Sequence, residues 1–127
     1  MKKVIFVDDS EAILATMRFI TEDLVENKEI EVETYSDPKK FLEKITKNEI
    51  SYDVLFVDIN MPQMTGLELV EELNKIEKNN GKIIALTTEN SSDMKKKGRE
   101  IKIAGWIVKP IPKGRIEITI RKLLKLQ

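Results

Sequence analysis

Five short apolar runs alternate along the chain with longer segments of helical periodicity. Three of these runs, residues 4–7, 54–57 and 83–86, are uninterrupted, which is typical of strands buried on both faces of a parallel sheet. Residues 30–35 mostly alternate polar and apolar side chains, as an edge strand does, and residues 105–109 form a fifth run that stops at a proline. This alternation predicts an α/β fold.

The segments between the runs carry apolar residues at the spacing of amphipathic helices. Asp37 followed by Pro38 predicts a helix start, and Thr65 with Glu68 has the spacing of a capping box. Residues 91–103 are the weakest helix, because they contain a central glycine and few apolar side chains. The inward-facing residues predicted for the other four helices are Ile13, Leu14, Met17, Ile20 and Leu24; Phe41, Leu42 and Ile45; Leu67, Val70, Leu73 and Ile76; and Ile116, Ile120, Leu123 and Leu124.

Five strands and five helices in alternation predict a single doubly wound domain over residues 1–127. A length of 127 residues suits one hydrophobic core. The second and fifth strands are the candidates for the two edges, which favours the sheet order 2-1-3-4-5. That order is borrowed in part from known doubly wound proteins of the flavodoxin-like type.

Charge and composition restrict what the protein can bind. Lys and Arg total 22 and Asp and Glu total 22, so no net charge attracts nucleic acid or an acidic membrane. No apolar run approaches the roughly 20 residues that cross a bilayer, and the first residues do not form a signal peptide. The absence of Cys fits the cytoplasm, and the absence of His removes imidazole bases and His-ligated zinc. We therefore expect a cytoplasmic monomer that works with carboxylates, hydroxyls and lysines.

Polar residues collect at the ends of four predicted strands, where open α/β sheets bind their ligands. Asp8 and Asp9 follow the first strand and Asp58 the third, so these carboxylates should converge, repel one another and raise one another's pKa values. A divalent cation such as Mg²⁺, which prefers oxygen ligands, would relieve that repulsion. Thr87 and Lys109 end the other two strands and add a hydroxyl and a positive charge. Each residue alone has an ordinary explanation as a cap or a loop residue, but together they predict one phosphoryl site.

The chain resembles the response-regulator receiver family over its whole length. The motifs that carry the resemblance are residues 7–10, residues 57–62 with Gly66, residues 86–89 and residues 105–110. The stretches 60–62, 87–89 and 105–110 are most similar to those of the stand-alone, CheY-like chemotaxis response regulators.

The resemblance implies a role for each candidate residue. Asp58 would accept a phosphoryl group from a sensor histidine kinase. Asp8, Asp9, Asp58 and the backbone carbonyl of Asn60 would surround Mg²⁺. The phosphoryl oxygens would be bonded by Thr87 and Lys109. Such a protein is a signalling switch and not an enzyme, with at most self-phosphorylation and autodephosphorylation.

Further expectations follow from the same resemblance. The peptide bond before Pro110 should be cis, and Trp106 should be the aromatic residue that moves when the switch operates. Asn60 and Glu89 should flank the path of the water that removes the phosphoryl group, and Thr88 should hinder its access. The surface formed by the fourth helix, the fifth strand and the fifth helix should then control a protein target, such as a flagellar motor switch.

One position departs from the family pattern. Lys102 stands where CheY-like proteins usually have a glycine. We therefore expect Lys102 to adopt a positive φ, at some cost in conformational energy.

Other interpretations remain open at this point. The chain could be a phosphorelay intermediate, a receiver cut from a larger regulator, or an interaction module that is never phosphorylated. A haloacid-dehalogenase-like phosphatase needs a second aspartate two residues after the nucleophile, where this chain has Asn60. A flavodoxin-type nucleotide binder needs a first loop that cradles phosphate, whereas Asp8, Asp9 and Glu11 would repel one.

Overall fold

A parallel sheet with helices on both faces forms the frame of the protein. The computed structural model describes residues 1–76, 81–88 and 91–126. Its strands run in the order β2-β1-β3-β4-β5, and every pair is parallel, which confirms the predicted fold and strand order. The strands are β1 (Lys2–Val7), β2 (Ile30–Tyr35), β3 (Val54–Asp58), β4 (Lys82–Thr87) and β5 (Gly105–Val108).

Six helices lie within the described residues. They are α1 (Glu11–Ile20), α2 (Glu22–Glu26), α3 (Pro38–Thr46), α4 (Gly66–Asn74), α5 (Ser92–Glu100) and α6 (Arg115–Leu124). None of these helices has the length and apolar character that a membrane span requires.

Side chains of the central strands alternate between two hydrophobic clusters, one on each face of the sheet. One cluster joins the sheet to α3 and α4, and the other joins it to α1, α2 and α6. Because both faces are covered, the three central strands are apolar at nearly every position, as predicted. Phe6 and Phe56 stack in the second cluster with ring centroids 4.9 Å apart.

The prediction of five helices was wrong because the first predicted helix breaks at Thr21. This residue is fully buried, and its hydroxyl donates to the carbonyl oxygen of Met17 at 2.8 Å. A threonine that hydrogen-bonds back to the preceding turn competes with the helical ladder and bends the helix. The chain therefore restarts as α2 at Glu22, and Leu24 belongs to α2.

The predicted helix starts are confirmed. The Asp37 carboxylate accepts from the backbone N–H of Lys39 at 2.9 Å, with Pro38 in the first helical position. At the start of α4, Thr65 and Glu68 each accept from the other's backbone N–H, at 3.1 and 3.0 Å. These reciprocal bonds satisfy two N–H groups that the helix itself cannot pair.

The apolar face predicted for α4 is confirmed at Val70 and Leu73 and is broader than predicted. The buried residues are Gly66, Leu69, Val70 and Leu73. These residues are three or four positions apart, starting from Gly66 at the first helical position, and therefore lie on one face of the helix. The predicted Leu67 and Ile76 are partly buried and pack against the same hydrophobic cluster, Ile76 from a position beyond the end of the helix.

The weakly apolar α5 is held by its ends and by a glycine. Lys102 has a φ of 68°, as predicted, and the N–H of Ile103 donates to the Gly98 carbonyl at 2.8 Å. This is the hydrogen bond that closes a helix end in the Schellman arrangement. Gly98 itself is buried, and the Trp106 ring lies where a β-carbon on Gly98 would be. A glycine that looks destabilising in the sequence therefore makes room for the indole.

Candidate functional site

Three aspartates meet at the carboxyl ends of β1 and β3. These strands are neighbours with Val7 opposite Val57, so the residues that follow also lie side by side. One carboxylate oxygen each from Asp8, Asp9 and Asp58 lies within 4.8 Å of the other two. Asp8 and Asp58 are buried, with 2% and 5% of their surfaces exposed, whereas Asp9 faces solvent. The expected convergence of the carboxylates is present.

Lys109 brings a positive charge to the two buried carboxylates. Its Nζ atom lies 3.2 Å from Oδ2 of Asp8 and 3.4 Å from Oδ1 of Asp58. The lysine follows β5, and its backbone N–H donates to the carbonyl of Thr87 at 2.7 Å. The peptide bond between Lys109 and Pro110 is cis, as expected.

The electrostatics of Asp58 leave room for a cation. The pKa of the Asp58 carboxyl is raised to about 6, chiefly by burial and secondly by the nearby charge of Asp8. The Lys109 ammonium and the backbone N–H of Asn60 act in the opposite direction and lower the pKa. One lysine thus does not compensate both buried carboxylates. Three carboxylates with one side open to solvent are a donor set that fits a hard divalent cation such as Mg²⁺.

The remaining candidates lie at the ends of β3 and β4. The backbone N–H of Asn60 donates to Oδ1 of Asp58 at 3.3 Å, and the Asn60 side chain donates through Nδ2 to Oγ1 of Thr88 at 3.2 Å. Thr87 is fully buried, and its hydroxyl lies 4.0 Å from the sulfur of Met94 in α5. Glu89 lies outside the described residues.

Two of these contacts were not anticipated from the sequence. The contact between Thr87 and Met94 ties the site to α5, and the bond between Asn60 and Thr88 crosses from one loop to the other. The second could have been found from the register, since Asp58 pairs with Leu86 and the same offset places Asn60 opposite Thr88. The first depends on how α5 packs, and no sequence spacing indicates it.

The chain matches the response regulator receiver domain family over residues 4–121. It belongs to that family. Receiver domains are phospho-accepting signalling switches with a histidine kinase as phosphodonor and a downstream target, and they are generally not enzymes. Family membership decides against the phosphatase and flavodoxin-type interpretations.

Similar proteins include stand-alone chemotaxis proteins. The chain is 29% identical over 125 residues to chemotaxis protein CheY of Thermotoga maritima, covering 98% of each chain. It is 33% identical to the solved structure of chemotaxis protein CheY4 of Vibrio cholerae, with a TM-score of 0.80 and coverage of 97% and 98%. A receiver domain from a Francisella response regulator has 29% identity and a TM-score of 0.79.

Other relatives are longer than this chain. The chain is 28% identical to the transcriptional regulatory protein YdfI of Bacillus subtilis, of which it spans 48%. It spans 33% of a protein-glutamate methylesterase/protein-glutamine glutaminase of Thiobacillus denitrificans, at 31% identity. Receivers similar to this one are therefore found both alone and as parts of longer proteins.

Proposed function

We propose that the whole chain, residues 1–127, acts as one CheY-like receiver domain in which Asp58 accepts a phosphoryl group from a sensor histidine kinase. The observation that carries the proposal is the position of Asp58. It is a buried carboxylate at the end of a central strand, with the Lys109 ammonium 3.4 Å away and two further carboxylates beside it. Such a group has a positive and two negative partners close to it, and one of the latter, Asp9, is exposed to solvent.

The transfer needs a nucleophile and a stable place for the phosphoryl oxygens. A carboxylate oxygen of Asp58 attacks phosphorus, the bond from phosphorus to the donor histidine nitrogen breaks, and that nitrogen keeps the electron pair. Lys109 then exchanges its contact with the carboxylate for one with a phosphoryl oxygen, and Thr87 bonds another. Positioning and charge stabilisation of this kind account for most of the catalysis of phosphoryl transfer.

Asp8, Asp9, Asp58 and the backbone carbonyl of Asn60 would hold Mg²⁺. When bound, the ion supplies positive charge that offsets the carboxylates and the phosphoryl oxygens. The fit of the donor set to Mg²⁺ supports this assignment.

Mg²⁺ should stabilise the folded protein. At a hundredfold excess over the dissociation constant, binding to the folded state alone adds about 2.7 kcal/mol to the free energy of unfolding. Urea denaturation with and without Mg²⁺ measures the gain, and Asp9→Ala should abolish it. Glu11→Ala is the matched control, because it removes one exposed acid beside the site but outside the aspartate group, and it should keep the gain. A parent protein whose unfolding does not respond to Mg²⁺ would contradict the metal site.

Acceptance of the phosphoryl group is tested directly by intact mass. The protein is incubated with acetyl phosphate and Mg²⁺, and one phosphoryl adduct per chain is expected. The adduct should be absent when EDTA removes the metal. A parent protein that stays unmodified under the first condition contradicts the proposal.

We assign the output to the surface of α5, β5 and α6, whose two helices are the fourth and fifth predicted from the sequence. This surface controls a protein target in the cytoplasm, as part of chemotaxis signalling. Similarity to CheY proteins over nearly the whole of both chains supports chemotaxis, and a flagellar motor switch is the corresponding target. A phosphorelay intermediate or a receiver from a longer regulator is the alternative, supported by the match to part of YdfI. The exposed side chains of Lys96 and Arg99 favour a target segment with acidic residues, whereas the neighbouring Lys97 forms an ion pair with Glu71 at 3.1 Å. The protein acts as a monomer, without nucleic acid.

The route from the site to this surface runs through α5. The Thr87 hydroxyl contacts Met94 on the first turn of α5, and Gly98 one helical turn later receives the Trp106 ring. A movement of Thr87 toward phosphoryl oxygens would alter the first contact and leave the indole free to turn inward. Since α5 has few apolar residues, a small change in these contacts can shift its equilibrium.

The fluorescence of Trp106, the only tryptophan, should report this movement. Beryllofluoride with Mg²⁺ mimics the phosphoryl group, and its addition should change the emission of the parent protein. The change should shrink in Thr87→Ala, which lacks the hydroxyl, and persist in Thr87→Ser, which keeps it. Flat emission in the parent, while ¹⁹F NMR shows that the adduct has formed, would leave Trp106 as a packing residue only.

A further inference from the structure

A pair of exposed side chains forms the rim of the site. Ladder pairing between β3 and β4 continues past Asp58, because the N–H of Ile59 donates to the Leu86 carbonyl at 3.0 Å. Asn60 and Thr88 follow at the next positions, and both are exposed. The rim therefore stands on the solvent side of the buried Asp58.

Asn60 is held at two points. Its backbone N–H donates to Oδ1 of Asp58 at 3.3 Å, and its side-chain Nδ2 donates to Oγ1 of Thr88 at 3.2 Å. The residue thus links the acceptor carboxylate on β3 to the loop after β4. The carboxamide therefore bridges the loop after β3 and the loop after β4, on the exposed side of the site.

The hydrogen bond between Asn60 and Thr88 lies on the side from which water would attack a phosphoryl group on Asp58. When a phosphoryl group on Asp58 is hydrolysed, the water oxygen bonds to phosphorus and the bond from phosphorus to the Asp58 oxygen breaks. The carboxylate leaves with the electron pair, and the water proton passes to the phosphate or to solvent. Attacking and leaving oxygens lie roughly in line. Because the leaving carboxylate is buried, the water must come from the solvent side, where the bridge between Asn60 and Thr88 lies.

We propose that Thr88 is a positioning residue whose hydroxyl holds the Asn60 carboxamide on the exposed side of the site and so lengthens the lifetime of the phosphoryl group. The inference rests on the proposed phosphorylation of Asp58. It assigns the effect to one hydrogen bond and not to the bulk of the threonine side chain.

Two substitutions separate the hydrogen bond from bulk. Thr88→Val keeps the shape of the side chain and loses the hydroxyl, whereas Thr88→Ser keeps the hydroxyl and loses a methyl group. Each protein is labelled with acetyl phosphate and Mg²⁺, the small molecules are removed, and the decay of the adduct is followed by intact mass. We expect decay about threefold to tenfold faster in Thr88→Val, which corresponds to about 0.7–1.4 kcal/mol. Thr88→Ser should stay within about twofold of the parent.

A double substitution tests whether Thr88 acts through Asn60. Asn60→Ala removes the carboxamide but keeps the backbone carbonyl, and adding Thr88→Val to it should give no further acceleration. Unchanged or slower decay in Thr88→Val overturns the inference, as does Thr88→Ser decaying as fast as Thr88→Val, since bulk would then be the cause. Additive effects in the double variant also overturn it. If the parent and the Thr88 variants are labelled equally and lose the adduct at the same rate, only the role of Thr88 is rejected. If the parent is not labelled at all, Asp58 is rejected as the acceptor, and this inference with it.

Discussion

Replacing Asp58 with asparagine should abolish the phosphoryl adduct. The amide nitrogen and oxygen of asparagine are too weakly nucleophilic to form the acyl phosphate. Among the described residues, Asp8 is the one other carboxylate that is buried at the end of a central strand and contacts Lys109. Intact mass after incubation with acetyl phosphate and Mg²⁺ measures the loss. Asp93→Asn is the control, because it makes the same chemical change on the exposed first turn of α5, and it should be labelled like the parent. Stoichiometric labelling of Asp58→Asn would transfer the acceptor role to another residue.

The same substitution should stabilise the metal-free protein. The pKa of Asp58 is raised to about 6 in the folded state, so the charged carboxylate costs folding free energy at neutral pH. Removing that charge should raise the free energy of unfolding by about 3 kcal/mol at pH 7. Because the folded pKa lies above the unfolded value, the gain should decrease as the pH falls from about 6 toward 4. Urea denaturation in EDTA at several pH values checks both the sign and the pH range, and a loss of stability at pH 7 would contradict the electrostatic description.

Replacing Gly66 with alanine should strongly destabilise the fold. A β-carbon at Gly66 would lie 2.5 Å from the carbonyl oxygen of Asp58 and 2.8 Å from the Cα of Ile59. Both are backbone atoms, so relief requires α4 to move away from β3 and not only a side-chain rotation. Overpacking of this kind costs about 3 kcal/mol. Urea denaturation should show the loss, and the rate of labelling by acetyl phosphate should fall as well, since the displaced backbone carries Asp58, the proposed acceptor.

Gly105→Ala provides the comparison for Gly66→Ala. Its β-carbon would meet only the Cδ1 atom of Ile84, at 3.2 Å, and that flexible side-chain end can yield. We expect a change below about 1 kcal/mol there. Equal effects of the two substitutions would show that the close approach of α4 to β3 is not rigid.

Much of this architecture follows from local sequence patterns. Continuous apolar runs specify strands covered on both faces, and a hydroxyl or carboxylate before a helical segment specifies where a helix begins, as Asp37 and Thr65 do. Once the strands are in parallel order, their carboxyl ends meet at one edge. The gathering of Asp8, Asp58 and Lys109 could therefore be predicted from the strand ends together with a sheet order borrowed in part from known doubly wound proteins.

Other features depend on contacts between residues far apart in the chain, and only the tertiary structure decided them. The break of the first helix at Thr21 depends on the hydrogen bond from its buried hydroxyl to the carbonyl of Met17. The apolar periodicity of the sequence continues through this position and does not indicate the break. The value of Gly98 depends on the Trp106 ring that packs against it.

The same holds for the finer chemistry of the site. The amino-acid sequence alone determined which residue types lie at the carboxyl ends of the strands, because the position at which each apolar run ends is a local property of the sequence. It did not determine that Asn60 bonds to Thr88 or that Thr87 contacts Met94, since both depend on how the loops after β3 and β4 and the helix α5 pack together. Packing also sets the burial that raises the pKa of Asp58, because desolvation depends on every element that covers the carboxylate and on no single segment of the chain.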